Sequence, residues 1–172
     1  GMAGSWDVGA FLKGTSGDEW KIPWFVNSYD SLIKSLKNAG YEIDKDLFVY
    51  SYDWRRPLSE QVINLDSYIE NHLKPDQKVD LIGHSMGGLI ARGYAQESGY
   101  NKVNKVVTAG SPHLGDVEAY FLWEGGIPLK DIWWEKAGPE LAAFHGWHAG
   151  KSRIESLRAE VPSIKDILPV RS

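Results

Sequence analysis

One stretch of the sequence decides the fold: Val79-Asp80-Leu81-Ile82-Gly83-His84-Ser85-Met86-Gly87-Gly88. Its first four residues are mostly apolar and β-branched or bulky, which predicts a short buried strand running into Gly83. A helical pattern begins at Met86 and continues to about Ser98, with Gly99 as its stop signal. The pattern Gly-x-Ser-x-Gly therefore lies between a predicted strand and a predicted helix.

This placement predicts a serine nucleophile. On a sharp strand-to-helix turn, the Ser85 hydroxyl would project above the edge of the sheet in a strained backbone conformation. Gly83 and Gly87 are expected because side chains there would clash as the strand turns into the helix. The backbone N–H of Met86, at the helix N-terminus, would face a developing oxyanion. Acyl transfer through Ser85 is the chemistry that this arrangement favours.

The flanking sequence predicts an α/β protein. Strand patterns at 47–50 and Val103–Ala109 alternate with two amphipathic helical patterns. The first helix has Gly40 as its stop, and the second begins near Pro57 and Ser59. Strands separated by single helices favour a parallel sheet flanked by helices. The apolar positions of the two helices are Phe25, Tyr29, Leu32, Ile33 and Leu36, and Val62, Leu65, Ile69 and Leu73.

We expect one domain over residues 1–172. Residues 1–116 would form the core with the serine turn, and 117–150 an aromatic cap or lid without clear periodicity. Residues 151–172 would follow the cap, with a short polar helix near 152–160.

Composition excludes several classes of function. The 172 residues carry a net charge of −4, so the basic excess of a nucleic-acid-binding surface is missing. No apolar run approaches the roughly 20 residues that a membrane-spanning helix needs. The absence of cysteine excludes disulfides, thiolate metal sites and a cysteine nucleophile. No signal peptide is visible, and the compartment stays unknown.

Three blocks together resemble the lecithin:cholesterol acyltransferase-like branch of the α/β-hydrolase lipases, which includes bacterial lipases. They are Tyr52-Asp53-Trp54-Arg55, the Val79–Gly88 stretch and Gly110-Ser111-Pro112-His113-Leu114-Gly115. The resemblance covers about residues 1–115. It implies an α/β-hydrolase core, a lipase, esterase or acyltransferase activity, and no metal or organic cofactor. Relatives of this kind are often extracellular.

The resemblance also implies an oxyanion loop near the N-terminus. Gly1-Met2-Ala3-Gly4-Ser5 fits the family's loop from its glycine onward. In that interpretation the Met2 N–H is the second oxyanion donor, opposite Met86. The alternative is a flexible terminus or a tag remnant.

Measured against the family, the chain is truncated at both ends. A central strand before the oxyanion loop is missing, and so are the later loops that carry the acid and the histidine. Three explanations stay open: a fragment of a longer enzyme, one piece of a split enzyme, or a minimal enzyme that recruits substitutes. Unpaired sheet edges would favour a complementing chain or a homo-oligomer.

For a minimal enzyme, the acid candidate is Asp116 and the base candidates are His113 and His148. His113 follows a strand next to the serine turn, near the sheet edge at which ligands bind. His72 is expected at the surface, and His84 is expected to point away from the hydroxyl. His145-x-x-His148 is interpreted as ordinary lid residues, so no metal site is predicted.

Two function hypotheses follow. The first is a serine hydrolase that cleaves an acyl ester through an acyl-enzyme on Ser85. In it, Trp123, Trp133 and Trp134 would bind an acyl substrate, and the cap would contact a lipid surface. The second is a non-catalytic fragment or subunit that binds lipid or a complementing chain. Asp53-Trp54-Arg55-Arg56 is interpreted as a structural segment rather than a head-group clamp.

Overall fold

The computed structural model describes residues 29–97, 101–125, 150 and 152–170. Contacts divide the chain into two compact units, with the division after Asp53. We call the described residues 29–53 the N-terminal unit and those from Trp54 onward the elbow unit. Each unit is described by itself.

The N-terminal unit contains helix α1, Asp30–Asn38. Gly40 follows with a φ of +103°, and its N–H donates to the Lys37 carbonyl at 3.0 Å. Glycine tolerates this left-handed conformation without the clash of a Cβ. The helix and its glycine stop are therefore as predicted, while Phe25 lies outside the described residues.

The predicted strand at 47–50 is wrong. The backbone there forms one isolated bridge, between Ile43 and Leu47, and residues 48–50 join no ladder. A strand exists only where a neighbouring strand takes up its N–H and C=O groups. An apolar run of four residues cannot tell a paired strand from an extended segment.

The elbow unit is built on two parallel strands, β1 (Val79–His84) and β2 (Val103–Ala109). In the register of the pair, Ile82 lies opposite Val107 and His84 opposite Ala109. Both predicted strands are confirmed, and β1 extends two residues further than its apolar run. The α/β class, with a parallel sheet flanked by helices, is the class observed.

One helix lies on the sheet, and a second helix lies on the first. Helix α2 (Leu58–His72) packs on helix α3 (Met86–Glu97), and α3 packs on both strands. The α2 face that meets the core carries Val62, Leu65 and Ile69, as its spacing predicts. A Cβ at Gly93 would lie 3.0 Å from Val62 Cγ2, so the helices cross closely there.

Three further helices complete the elbow unit: α4 (Val117–Gly125), α5 (Arg153–Glu160) and α6 (Ser163–Asp166). Helix α5 is the predicted polar helix, and Ser152 and Glu155 close a capping box at its start. Helix α4 was not predicted as a helix, because its residues are apolar nearly all round and show no amphipathic period. It packs against α5 and α6.

The segment after α6 holds the loop after β2. The Asp116 N–H donates to the Ile167 carbonyl at 2.8 Å, and the Val170 N–H donates to the Leu114 carbonyl at 3.1 Å. Asp166 also reaches back to the start of α2, where its carboxylate accepts from the Leu58 N–H at 2.7 Å. Residues distant in sequence thus fix the loop that borders the serine turn.

Within the part of the chain that the structure describes, no helix combines the length and the apolarity needed to cross a membrane.

Candidate active site

Ser85 lies on a sharp turn between β1 and α3. Its φ is +53°, a left-handed conformation that costs a residue with a Cβ about 1–2 kcal/mol. The Ser85 N–H donates to the Ala109 carbonyl at 2.9 Å, and the Gly88 N–H donates to the Ser85 carbonyl at 3.0 Å. The turn is therefore bonded to the end of β2 on one side and to the first turn of α3 on the other.

Two glycines let the turn close. A Cβ on Gly83 would lie 2.5 Å from the Gly87 carbonyl oxygen and 2.6 Å from the Gly88 nitrogen. A Cβ on Gly88 would collide with the Ser111 side chain and lie 3.1 Å from the Thr108 Cβ. At Gly83 the obstacles are backbone atoms, which cannot rotate away. Helix α3 can consequently start only if Gly83 lacks a side chain, and Ser111 can pack on the first turn because Gly88 lacks one.

Helix α3 begins at Met86, directly after Ser85. The amide of Met86, as the first residue of the helix, has no acceptor within the helix. Its side chain is buried, with 1% exposed, which anchors the turn. A helix N-terminus of this kind favours negative charge. Met2, the other predicted oxyanion donor, lies outside the described residues.

Among the described residues, the Ser85 hydroxyl has no hydrogen bond to Asp116 or to His113. Asp116 is half-buried and its Oδ1 accepts from the Glu118 N–H at 2.9 Å, so the carboxylate caps the start of α4. The prediction that Asp116 is the acid stays a prediction.

His113 contacts two other side chains. Its Nδ1 lies 3.4 Å from Arg92 Nη1 of α3, and its Nε2 lies 3.2 Å from Thr108 Oγ1 of β2. The imidazole thus bridges α3 and β2 from the loop after β2. Sequence reasoning did not predict that Arg92 and Thr108 contact His113, because only the tertiary fold brings these side chains together.

The other histidines are dispersed. His84 is exposed at the end of β1, and partial burial lowers the pKa of its imidazole. His72 is exposed at the end of α2, with Nδ1 2.7 Å from the Tyr68 carbonyl oxygen. His145 and His148 lie outside the described residues. Within residues 29–97, 101–125, 150 and 152–170, no group of three or more His, Asp or Glu residues could hold a metal ion.

Trp123 lies at the end of α4 and is held by Arg158 of α5. The Arg158 Nε and Nη2 donate to the Trp123 carbonyl at 3.1 and 2.8 Å, and the guanidinium lies 4.9 Å from the centroid of a Trp123 ring. This cation–π contact ties the two helices together. Trp133 and Trp134 lie outside the described residues.

Helix α4 has one buried and one exposed apolar face. Ala119 and Leu122 are buried against the unit, whereas the residues of the other face are more than two-fifths exposed. Two further exposed apolar residues are Leu114, in the loop before α4, and Val170, whose N–H donates to the Leu114 carbonyl. We call these five exposed apolar residues the apolar patch: Leu114, Val117, Tyr120, Phe121 and Val170.

The segment with the Asp-Trp-Arg motif is buried. Asp53, Trp54 and Arg55 are each no more than 5% exposed, and the Arg55 carbonyl accepts from the Ser163 N–H at 3.1 Å. Burial of this degree agrees with a structural segment rather than an exposed clamp for a head group.

Comparison with known proteins identifies the family. The family model of lecithin:cholesterol acyltransferase matches residues 18–130, which include the serine turn and the loop after β2. The chain belongs to this family. Phospholipase A(1) LCAT3 of Arabidopsis thaliana is 31% identical over 107 residues. Phosphatidylcholine-sterol acyltransferase of Gallus gallus is 38% identical over 76 residues.

The matches are partial. They cover 54% and 42% of this chain, respectively, but only 24% of the Arabidopsis protein and 18% of the Gallus protein. The chain thus spans a quarter or less of the length of these curated relatives. No solved structure matches the chain significantly.

The backbone strain at Ser85 predicts that glycine is more stabilising than alanine at this position, the reverse of the usual order. We expect the free energy of unfolding of Ser85→Gly to exceed that of Ser85→Ala by about 1 kcal/mol, because glycine adopts a φ of +53° without a Cβ clash. Ser85→Gly should therefore unfold at a higher urea concentration. Both variants lack the hydroxyl, so the difference reports the backbone alone. Equilibrium unfolding followed by tryptophan fluorescence measures it.

Ser67 provides the matched control. It is exposed inside α2, where Ser67→Gly should be less stable than Ser67→Ala by about 1 kcal/mol. If Ser85→Gly were also less stable than Ser85→Ala, Ser85 would not have the left-handed backbone conformation described here.

Proposed function

We propose that this chain carries the nucleophile of an enzyme that cleaves or transfers the acyl group of a lipid ester, and that Ser85 is that nucleophile. The observation that carries the proposal is the strained turn of Ser85 between β1 and the N-terminus of α3. Membership of the lecithin:cholesterol acyltransferase family supports the reaction class. The relatives named as a phospholipase A(1) and a phosphatidylcholine-sterol acyltransferase support a lipid as substrate.

In the proposed reaction, Ser85 Oγ attacks the ester carbonyl carbon and forms a tetrahedral oxyanion. The Met86 N–H, with the Met2 N–H as the second donor, stabilises that charge. The bond to the leaving alcohol then breaks and leaves an acyl-enzyme. Attack by water completes hydrolysis, and attack by an acceptor alcohol completes transfer. No step requires a metal or an organic cofactor.

Ser85 must lose its proton as it attacks. We propose an imidazole as acceptor, which later protonates the leaving alcohol. His113 and His148 are the candidates within the chain, with Asp116 as the candidate orienting acid. An imidazole supplied by a complementing chain would serve the same purpose.

The apolar patch supports a lipid surface as the place of action. The loop after β2 leads from the strand beside Ser85 into α4, whose exposed face bears Val117, Tyr120 and Phe121. Tyrosine and phenylalanine bury well at a lipid–water boundary. Trp123, Trp133 and Trp134 are proposed to bind the acyl chain.

The nucleophile is tested by covalent labelling. Incubation with a fluorophosphonate should modify Ser85, identified by peptide mass spectrometry, and Ser85→Ala should lose all labelling and all turnover of p-nitrophenyl esters. Ser67→Ala, which removes an exposed hydroxyl from α2, should behave like the unchanged chain. Esters of medium and long acyl chains should be cleaved faster than the acetate. Labelling elsewhere, or turnover retained by Ser85→Ala, would refute the nucleophile.

The lipid contact is tested by vesicle binding. Replacing Val117 and Phe121 together by Asp should weaken co-sedimentation with phosphatidylcholine vesicles at least about tenfold, because burial of one such side chain contributes about 1.5–3 kcal/mol. Ile63→Asp is the matched control, since Ile63 is 64% exposed on α2, outside the patch. If Ile63→Asp lost as much vesicle binding as the double variant, the apolar patch would not be the docking surface.

A second candidate function is that of a subunit completed by another chain. One face of the sheet exposes Ile82 to 50% and Val107 to 54%, whereas parallel sheets are ordinarily covered on both faces. This candidate predicts a second chain, or a second copy, on that face. Sedimentation velocity should show self-association that Val107→Lys abolishes. If the chain stays monomeric at all concentrations and Ser85 is still labelled by the fluorophosphonate, then Ser85 does not need a second copy to react.

A further inference from the structure

We propose that Arg158 is a positioning residue for the lipid contact. Its guanidinium holds the last turn of α4 and thereby fixes how this helix presents three residues of the apolar patch, Val117, Tyr120 and Phe121. The inference rests on the proposed function, because it concerns the helix that is proposed to meet the lipid. It is carried by the contacts that this one side chain of α5 makes with Trp123.

Arg158 caps α4 from another helix. The carbonyl groups in the last turn of a helix have no N–H partner within that helix, and the Trp123 carbonyl belongs to the last turn of α4. The Arg158 Nε and Nη2 both donate to this carbonyl, at 3.1 and 2.8 Å. Hydrogen bonds from a charged donor are stronger than neutral ones, and a positive charge at a helix C-terminus is favourable. The end of α4 is therefore held by α5.

The same guanidinium also contacts the Trp123 side chain. It lies 4.9 Å from a ring centroid, within the roughly 6 Å at which a cation is attracted to the face of an aromatic ring. Its Nη2 lies 3.5 Å from Glu124 Oε1, but both side chains are exposed, and ion pairs of this kind contribute little. The carbonyl and the ring of Trp123 are thus the contacts that matter, and they restrict both the backbone and the indole at the end of α4.

Helix α4 depends on such support. It has nine residues, fewer than the roughly 12–15 that a helix needs to be stable by itself in water. Its buried side chains are those of Ala119 and Leu122, which are both small or medium in size. Asp116 caps the start of the helix, which leaves Arg158 to hold its end. Helix α5 is itself anchored, because Leu157, next to Arg158, is only 1% exposed.

An ordered α4 favours lipid binding. A surface that is ordered before it meets its partner loses less conformational entropy on binding. If the end of α4 is loosened, Tyr120 and Phe121 must be ordered again when they enter the lipid. The affinity for lipid then falls although neither side chain has changed. In this role Arg158 acts through α4 and does not need to contact the lipid itself.

Vesicle binding tests the proposal. We expect Arg158→Ala to weaken co-sedimentation with phosphatidylcholine vesicles about fivefold, which corresponds to the net loss of about one hydrogen bond. Arg158→Lys keeps the charge but lacks the forked donor and the planar surface for the ring, so its binding should lie between that of Arg158→Ala and that of the unchanged chain. Lys165→Ala is the matched control, because it removes an exposed positive charge from α6 and should leave binding unchanged.

A double-mutant cycle separates positioning from general stabilisation. When Val117→Asp and Phe121→Asp are already present, adding Arg158→Ala should change vesicle binding by less than about twofold, because residues that act through one another have non-additive effects. A further fivefold loss in that background would overturn the proposal. So would vesicle binding of Arg158→Ala equal to that of the unchanged chain, or a loss in Lys165→Ala as large as that in Arg158→Ala.

Hydrogen exchange locates the effect. The backbone amides at 121–125 should exchange with solvent about fivefold faster in Arg158→Ala, whereas those of α3 should keep the rate of the unchanged chain. Unchanged exchange at 121–125 would show that Arg158 does not hold α4, and equal acceleration in α3 would show that it stabilises the whole unit; either result would overturn the proposal. If the unchanged chain itself does not bind the vesicles, the proposed lipid contact fails, and the role of Arg158 in that contact fails with it. A failure confined to Arg158 leaves the unchanged chain bound.

Discussion

The close approach of α3 to β1 is the constraint on which the elbow unit depends. A strand can turn into a helix within one residue only if that residue accepts a left-handed backbone and its neighbours leave room. Ser85 has the conformation, at a φ of +53°, and Gly83 leaves the room, because a Cβ there would meet backbone atoms of Gly87 and Gly88. The strained backbone of Ser85 is maintained because the packing of the surrounding residues leaves it no other conformation.

The loop after β2 depends on that approach as well. Gly88 admits Ser111 onto the first turn of α3, and the hydrogen bonds of Asp116 and Leu114 to residues 167 and 170 hold the loop from the other side. The polar contacts of His113 and Arg158 then join separate elements. The serine turn is thus supported by segments that lie up to 85 residues further along the chain, Ser85 to Val170, and its geometry is a property of the whole unit.

Local patterns predicted the elements that have a clear period or a clear stop. Helix α2 has apolar residues on one face, β2 is rich in β-branched residues, and α5 was expected as a short polar helix near 152–160. Helix α4 was missed because it is apolar on both faces, one packed and one exposed. The strand at 47–50 was predicted wrongly, because four apolar residues do not reveal whether a neighbouring strand pairs with them.

The sequence by itself determined the family, the α/β class and the serine turn, because each depends on a short pattern of residue types whose backbone requirements are local. Glycines at 83 and 88 on either side of Ser85 indicate a tight strand-to-helix turn without knowledge of the rest of the fold. Only the tertiary structure decided that Arg92 and Thr108 meet the two nitrogens of His113, and that Asp116 caps α4. Hydrogen bonds between distant residues follow from packing, and no spacing in the sequence encodes which partners packing will bring together.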